Sequence, residues 1–191
     1  MTKDALLVMD VQPGILKNVG TQAEEYLARI RKLVEAAHNV HMPVIFVVVR
    51  FREGYPEVSP QNKSFENLKK NVTDPFFEDR PAAQPAIPLE PGDILVAKRR
   101  VSAFSGSDLE VILRAGAIGH LTLCGISTSG VVLSTVREAA DKDYILTVIE
   151  DACFDADQEV HKILTTKLFP KQASVVTSEE WIQTIPLAGA K

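Results

Sequence analysis

Residues 120–150 read HLTLCGISTSGVVLSTVREAADKDYILTVIE. An apolar run, HLTLCG (120–125), ends in a turn rich in Ser and Thr. A helical pattern, SGVVLSTVREAADK (129–142), starts at once, and a second apolar run, YILTVIE (144–150), follows. Neither run alternates strictly with polar residues, which is the pattern of strands buried on both faces, and strand, helix and strand in that order make a parallel βαβ unit. Four more runs of the same kind are ALLVMD (5–10), VIFVVV (44–49), DILVAK (93–98) and ASVVT (173–177). Helical patterns lie at 23–41, 107–116 and 157–169, where Ser107 with Glu110 reads as a capping box and Gly116 as a stop. The expectation is an α/β fold, three-layered and Rossmann-like, with a six-stranded, mostly parallel sheet flanked by helices. Residues 50–91 hold most of the prolines and little periodicity, and read as an irregular insert serving as a lid or a subunit contact.

The bulk properties narrow the function. The chain has 191 residues, 46% hydrophobic and 24% charged, which suits one domain over 1–191. A net charge of −4 and the lack of a basic block argue against nucleic acid and leave a small molecule as the expected partner. The N-terminal MTKDALLVMDVQ lacks the pattern of a secretory signal, and no run approaches the length that spans a bilayer. Cys124 and Cys153, far apart, read as free thiols in a reducing cytoplasm. The four histidines are scattered and no G-x-G-x-x-G follows a strand, so neither a metal nor a cofactor is expected. Arg50, Arg52 and Arg80 read as solvated charges, or, if they bind substrate, as carboxylate ligands.

In an open parallel sheet, chemistry collects at the carboxyl ends of the strands. That rule selects Asp10, Lys98 and the turn 125–131. An acid directly after LLVM is partly buried and needs a cationic or hydrogen-bonding partner, a part that Lys98 could play.

Four stretches, LLVMDVQ (6–12), AKRRVSAFSGSDLEVIL (97–113), LTLCGISTSGVVLSTVREAADKDY (121–144) and VIEDAC (148–153), together resemble the isochorismatase-like hydrolases, or cysteine hydrolase superfamily. The resemblance covers most of the chain and is weakest over 50–91. It implies a six-stranded, mostly parallel sheet and a catalytic triad of Asp, Lys and Cys, of which Asp10 and Lys98 match the first two. It also implies substrate contacts at Gln12, Phe104, Ile126, Ser127, Thr128 and Gly130, a cis peptide between Ile126 and Ser127, and a homo-oligomer, dimer or higher. Phe76, Phe77 and Trp181 are then candidates for the apolar contact surface.

The sequence departs from that pattern at one place. The position of the family cysteine is Val131, whose isopropyl group cannot attack a carbonyl. Cys124 reads as core filler, and Cys153 as a thiol just past the fifth strand. Ser127 and Thr128 read as helix caps, and Ser134 and Thr135 as hydroxyls bonded back into their own helix. Three functions stay open. The first is acid–base hydrolysis of a small carboxylated or vinyl ether metabolite, with Asp10 as the acid, Lys98 as its electrostatic partner and the N–H groups of the turn as an anion site. The second is a catalytically silent member that binds a metabolite or a protein partner. The third is cysteine chemistry through Cys153.

Overall fold

The computed structural model describes residues 3–185. Six strands, β1 (Lys3–Met9), β2 (Val44–Val49), β3 (Ile94–Lys98), β4 (Ile118–Ile126), β5 (Ile145–Phe154) and β6 (Ser174–Val176), form one sheet in the order β3-β2-β1-β4-β5-β6. Every pairing is parallel. The strand order reverses between β1 and β4, so the carboxyl ends of those two strands flank the crevice where α/β sheets place their sites.

Alternate residues of each strand feed two separate cores, because side chains of a strand point to opposite faces in turn. Ala5, Leu7, Met9, Ile45 and Val47 pack with α4 (Leu109–Ala115) and α5 (Leu133–Asp141). Leu6, Val8, Val44 and Phe46 pack under α2 (Ala23–Asn39), joined by Trp181 of α7 (Ser178–Thr184). Burying a Leu or Phe side chain contributes about 1.5–3 kcal/mol, so the central strands, almost entirely without exposure, supply most of the drive to fold.

Several boundaries differ from the sequence reading. The helix expected over 129–142 opens with a π-helical turn, Thr128–Val132, before α5. The one expected over 157–169 is α6 (Gln158–Ile163) followed by a π-helical turn, Leu164–Leu168. β5 continues through a register shift to Phe154, so Cys153 lies within the strand and pairs with Gly125. Ser107 and Glu110 form no capping box. The Ser107 hydroxyl donates to the carbonyls of Ala103 and Phe104, and Glu110 is taken by Arg114 and Lys142. Gly116 does end α4, but in a right-handed conformation, and the left-handed turn falls on Ala117.

The segment 50–91 is more ordered than its composition suggested. It holds α3 (Lys63–Asn71), capped by the Asn62 side chain, which accepts from the Phe65 amide. It also has a small core of its own, with Phe51, Tyr55, Phe65 and Phe76 buried together. Phe76 (5% exposed) and Trp181 (4%) are therefore internal, which removes them from the expected contact surface. α1 (Pro13–Leu16) and α7 were also unread in the sequence, although Thr177 and Glu180 form a complete capping box at the start of α7.

Candidate functional site

β1 ends by turning Asp10 into the left-handed region, at φ 56°, a conformation that costs a non-glycine residue about 1–3 kcal/mol and that Asp tolerates better than most. The turn is held by the Asp10 amide, which donates to the Val47 carbonyl at 2.8 Å, and by the Gln12 amide, which donates to the Asp10 carbonyl at 2.9 Å. It aims the carboxyl at the end of β3, two strands away. There Lys98 Nζ lies 2.9 Å from Asp10 Oδ2 and also donates to the Arg100 carbonyl at 3.0 Å. Both residues are buried, and among the described residues Asp10 Oδ1 has no hydrogen-bond partner. Burial pushes the Asp10 carboxyl above its ordinary range, against the opposing pull of the Lys98 ammonium.

The turn after β4 starts beside the end of β1, where Gly125 pairs with Met9. Gly125 sits at φ 150°, and a Cβ there would lie 2.1 Å from the Met9 carbonyl oxygen, so only glycine lets β4 run this close to the end of β1. The peptide between Ile126 and Ser127 is cis, the form the resemblance implies. Val131 (2% exposed) packs in the same apolar cluster as Met9, the neighbour of Asp10.

Three amides of the expected anion site at this turn are already taken by the protein. The Ser129 amide donates to Asp155 Oδ2 at 2.7 Å, and the same buried carboxylate accepts from the Asp157 amide at 3.2 Å. The Gly130 and Val132 amides donate to the Ser127 carbonyl. Ser127 and Thr128 do not cap with their side chains. The Thr128 hydroxyl lies 2.8 Å from His161 Nδ1 on α6, a contact between residues 33 apart that no local pattern announces.

Two further candidates fall in different surroundings. Gln12 spends both ends of its amide on one residue: its Nε2 donates to the Val49 carbonyl, and its Oε1 accepts from the Val49 amide. It ties β1 to β2 and has no exposed surface. Phe104 does not join Asp10. Its ring lies 5.9 Å from that of Tyr144 and under Lys142, both at the far end of α5, while the Ala103 amide donates to Thr135 on the same helix. The Thr135 hydroxyl thus holds the 99–108 loop rather than bonding only into its own helix. Of the arginines, Arg50 donates to the Ala83 carbonyl and the Gln84 side chain, and Arg52 to Glu57.

Neither cysteine is a ready nucleophile. Cys124 is fully buried, its Sγ is 3.5 Å from the Leu7 carbonyl, and burial holds its thiol well above the usual range. Burial likewise pushes the Cys153 thiol up to about 12, so at neutral pH it carries almost no thiolate.

A buried Asp–Lys pair at the strand ends, facing a tight Gly–Ile–Ser turn, coincides with a match over residues 4–180 to the isochorismatase domain model. The chain belongs to the isochorismatase family. It is 34% identical over 183 residues to the isochorismatase family protein YecD of Escherichia coli O157:H7, with 95% of each chain covered. It is 28% identical over 208 residues to the ureidoacrylate amidohydrolase RutB of Stutzerimonas stutzeri, covering 96% of this chain and 80% of RutB. Among solved structures, an isochorismatase family protein of Burkholderia thailandensis superposes with a TM-score of 0.79 at 30% identity, covering 93% of both chains. Isochorismatase-family membership and the α/β fold read from the sequence thus both hold. Among the described residues, no helix is long and apolar enough to cross a membrane.

Proposed function

We propose that this isochorismatase-family hydrolase acts by acid–base catalysis on a small carboxylated or vinyl ether metabolite, with Asp10 as the proton donor. The observation that carries the reading is the Asp10 carboxyl itself. One oxygen faces the Lys98 ammonium at 2.9 Å, and the other is buried without a hydrogen-bond partner among the described residues. A buried acceptor with no donor costs about 1–3 kcal/mol, and a proton on Oδ1 turns that cost into a donor aimed at whatever replaces the missing partner. Burial, which raises the carboxyl's pKa, keeps more of it protonated near neutral pH than an exposed Asp.

In a vinyl ether, Asp10 would protonate the terminal carbon of the double bond, forming an oxocarbenium ion. Water adds to that ion, and the hemiketal collapses to a ketone and an alcohol. Asp10 is reprotonated when the added water loses its proton. Lys98 stabilises the carboxylate left behind at the protonation step. No covalent enzyme intermediate is required, which suits a chain with Val131 at the nucleophile position. An amidohydrolase reading, suggested by the likeness to RutB, lacks a thiolate here, because both cysteines are buried and hard to ionise.

One observation favours the alternative, ligand binding without turnover: Lys98 and Val131 are each 2% exposed, and the Ser129 N–H is already satisfied by Asp155. The test is isochorismate hydrolysis, followed as pyruvate release. Asp10→Asn is expected to lower kcat by about 10²–10⁴-fold. Ligand-induced stabilisation with no release from a vinyl ether, amide and ester panel would establish the silent reading instead. The same proposal carries a cytoplasmic setting, in keeping with two free thiols, and a homo-oligomer, for which Val111, Ile145 and Ile163 are the most exposed of the large apolar side chains among the described residues.

A further inference from the structure

A row of polar side chains crosses the opposite edge of the sheet, at the amino ends of the strands. On the face covered by α2 and α7, Asp4 of β1 pairs in register with His120 of β4; on β5 the register partner of His120 is Ile145, and Thr147, level with Thr122 of β4, stands two residues further on and pairs with Ser174 of β6. Further along these strands the same face carries Leu6, Val8, Cys124 and Ile149, all buried. The polar row is therefore a departure from the apolar pattern that packing alone demands, and the site at the carboxyl edge makes no use of it.

The spacing within the row is that of a proton relay. Asp4 Oδ1 lies 3.3 Å from His120 Nδ1, an ion-pair contact rather than a hydrogen bond, and His120 Nε2 lies within hydrogen-bond distance, 2.9 Å, of the Thr147 hydroxyl oxygen. A carboxylate beside Nδ1 favours the tautomer with its proton there, which leaves the Nε2 lone pair to accept the Thr147 O–H. The three side chains come from three adjacent strands, with Asp4 next to a register shift near the start of β1. They also face open space. Asp4, His120, Thr147 and Ser174 line a cleft of about 340 Å³ whose apolar wall includes Met42 and Trp181, a size in the range of small-molecule sites. His120 keeps 27% of its side chain exposed, so the ring is reachable from solvent.

We propose that Asp4, His120 and Thr147 form a second, hydroxyl-based acyl-transfer site that takes small carboxylic esters. Thr147 Oγ1 attacks the ester carbonyl carbon while its proton passes to His120 Nε2. The bond from that carbon to the alcohol oxygen breaks, and the leaving alcohol takes the proton from His120. Water then attacks the threonyl ester, giving one proton to His120 and its oxygen to the acyl group, and Thr147 Oγ1 recovers the proton as the acid departs. The sum is one ester and one water converted to one acid and one alcohol, with no change of oxidation state. Asp4 keeps the imidazolium paired during both halves.

The experiment is acetylation of the full-length protein by p-nitrophenyl acetate at neutral pH, with the label located by peptide mass mapping and nitrophenolate release followed in parallel. The expected result is an acetyl group on Thr147. Thr147→Ser should keep the label on residue 147, Thr147→Val should lose it, and His120→Gln should slow its formation by about 10²-fold or more, the usual worth of a positioned general base. Asp4→Asn should slow it as well, and this half-exposed residue can be changed with little risk to folding. Acetyl groups confined to lysines or to Ser174, or a Thr147 label whose rate ignores both His120→Gln and Asp4→Asn, would overturn the proposal. Melting curves of each variant show that the comparison is made between folded proteins.

Discussion

At the scale of single residues, the Asp10–Lys98 pair ties stability to pH and, in the proposed function, ties activity to pH as well. Because burial raises the Asp10 pKa in the folded chain, its contribution to stability is fully present at low pH and is lost as the pH rises through the raised value. Lys98→Ala removes the opposing pull and raises the pKa further, so the penalty of the variant should grow with pH. Leaving a buried carboxylate unpaired costs about 3–5 kcal/mol, and this deficit should shrink toward pH values below the ordinary carboxyl range of about 4. Urea denaturation of both proteins across pH checks it, and a deficit independent of pH would mean that Asp10 does not feel Lys98. In the activity profile, a general acid works only while protonated, so the fall in kcat at high pH should move upward in Lys98→Ala. The double replacement Asp10→Asn with Lys98→Met, which leaves no buried charge, should recover most of the stability and none of the activity.

At the scale of elements, the start of α5 bears on what a restored nucleophile would do. A cysteine at position 131 would stand in a helical first turn, where a dipole stabilises a thiolate, but the Asp155 carboxylate already occupies that turn at Ser129. Val131→Cys alone should therefore react slowly with iodoacetamide, as a buried thiol beside a fixed anion. Adding Asp155→Ala should speed labelling by about tenfold or more, the effect of lowering the thiol pKa by one unit or so. It should also cost about 1–3 kcal/mol, because two backbone amides lose a charged acceptor. Labelling unchanged by Asp155→Ala would show that burial alone controls the site. Peptide mass spectrometry, with Cys124 and Cys153 as internal standards, separates these outcomes.

At the scale of the whole molecule, the 50–91 segment is a third packing unit beside the two faces of the sheet. Phe65 stands at its centre, with its ring 5.5 Å from that of Phe51, and Phe51 is anchored to Phe76 through its backbone amide. Phe65→Ala removes a buried ring worth about 3–5 kcal/mol. If the unit opens on its own, hydrogen exchange of α3 should rise by about 10²-fold or more while the amides of β1 and β4 stay protected. A uniform rise across all strands would show that the segment unfolds only with the sheet.

The class of fold was legible in the amino-acid order, because six short apolar runs separated by helical patterns leave a parallel sheet as the way to bury them. It also singled out Asp10, Lys98 and the turn 125–131 as candidates, since each stands where a strand pattern stops, and the structure pairs Asp10 with Lys98. The motif spacing of the resemblance puts Val131 where the family carries its cysteine, an assignment on which the proposed acid–base reading rests. Helices α3 and α7 were within reach, through Asn62 and through the Thr177–Glu180 box, but their short apolar faces gave little periodicity to read. Only the tertiary structure decided the rest. It set the distance between Asp10 and Lys98, 88 residues apart in sequence, and placed the Asp155 carboxylate on the Ser129 amide. It sent Phe104 down α5 to Tyr144, although its motif is contiguous with Lys98, and it aligned Asp4, His120 and Thr147 across three strands. The physical reason is common to all four. Local pattern reports which face a residue turns to the core, whereas the register between strands and the path of a loop over a helix are fixed by packing between segments distant in the chain.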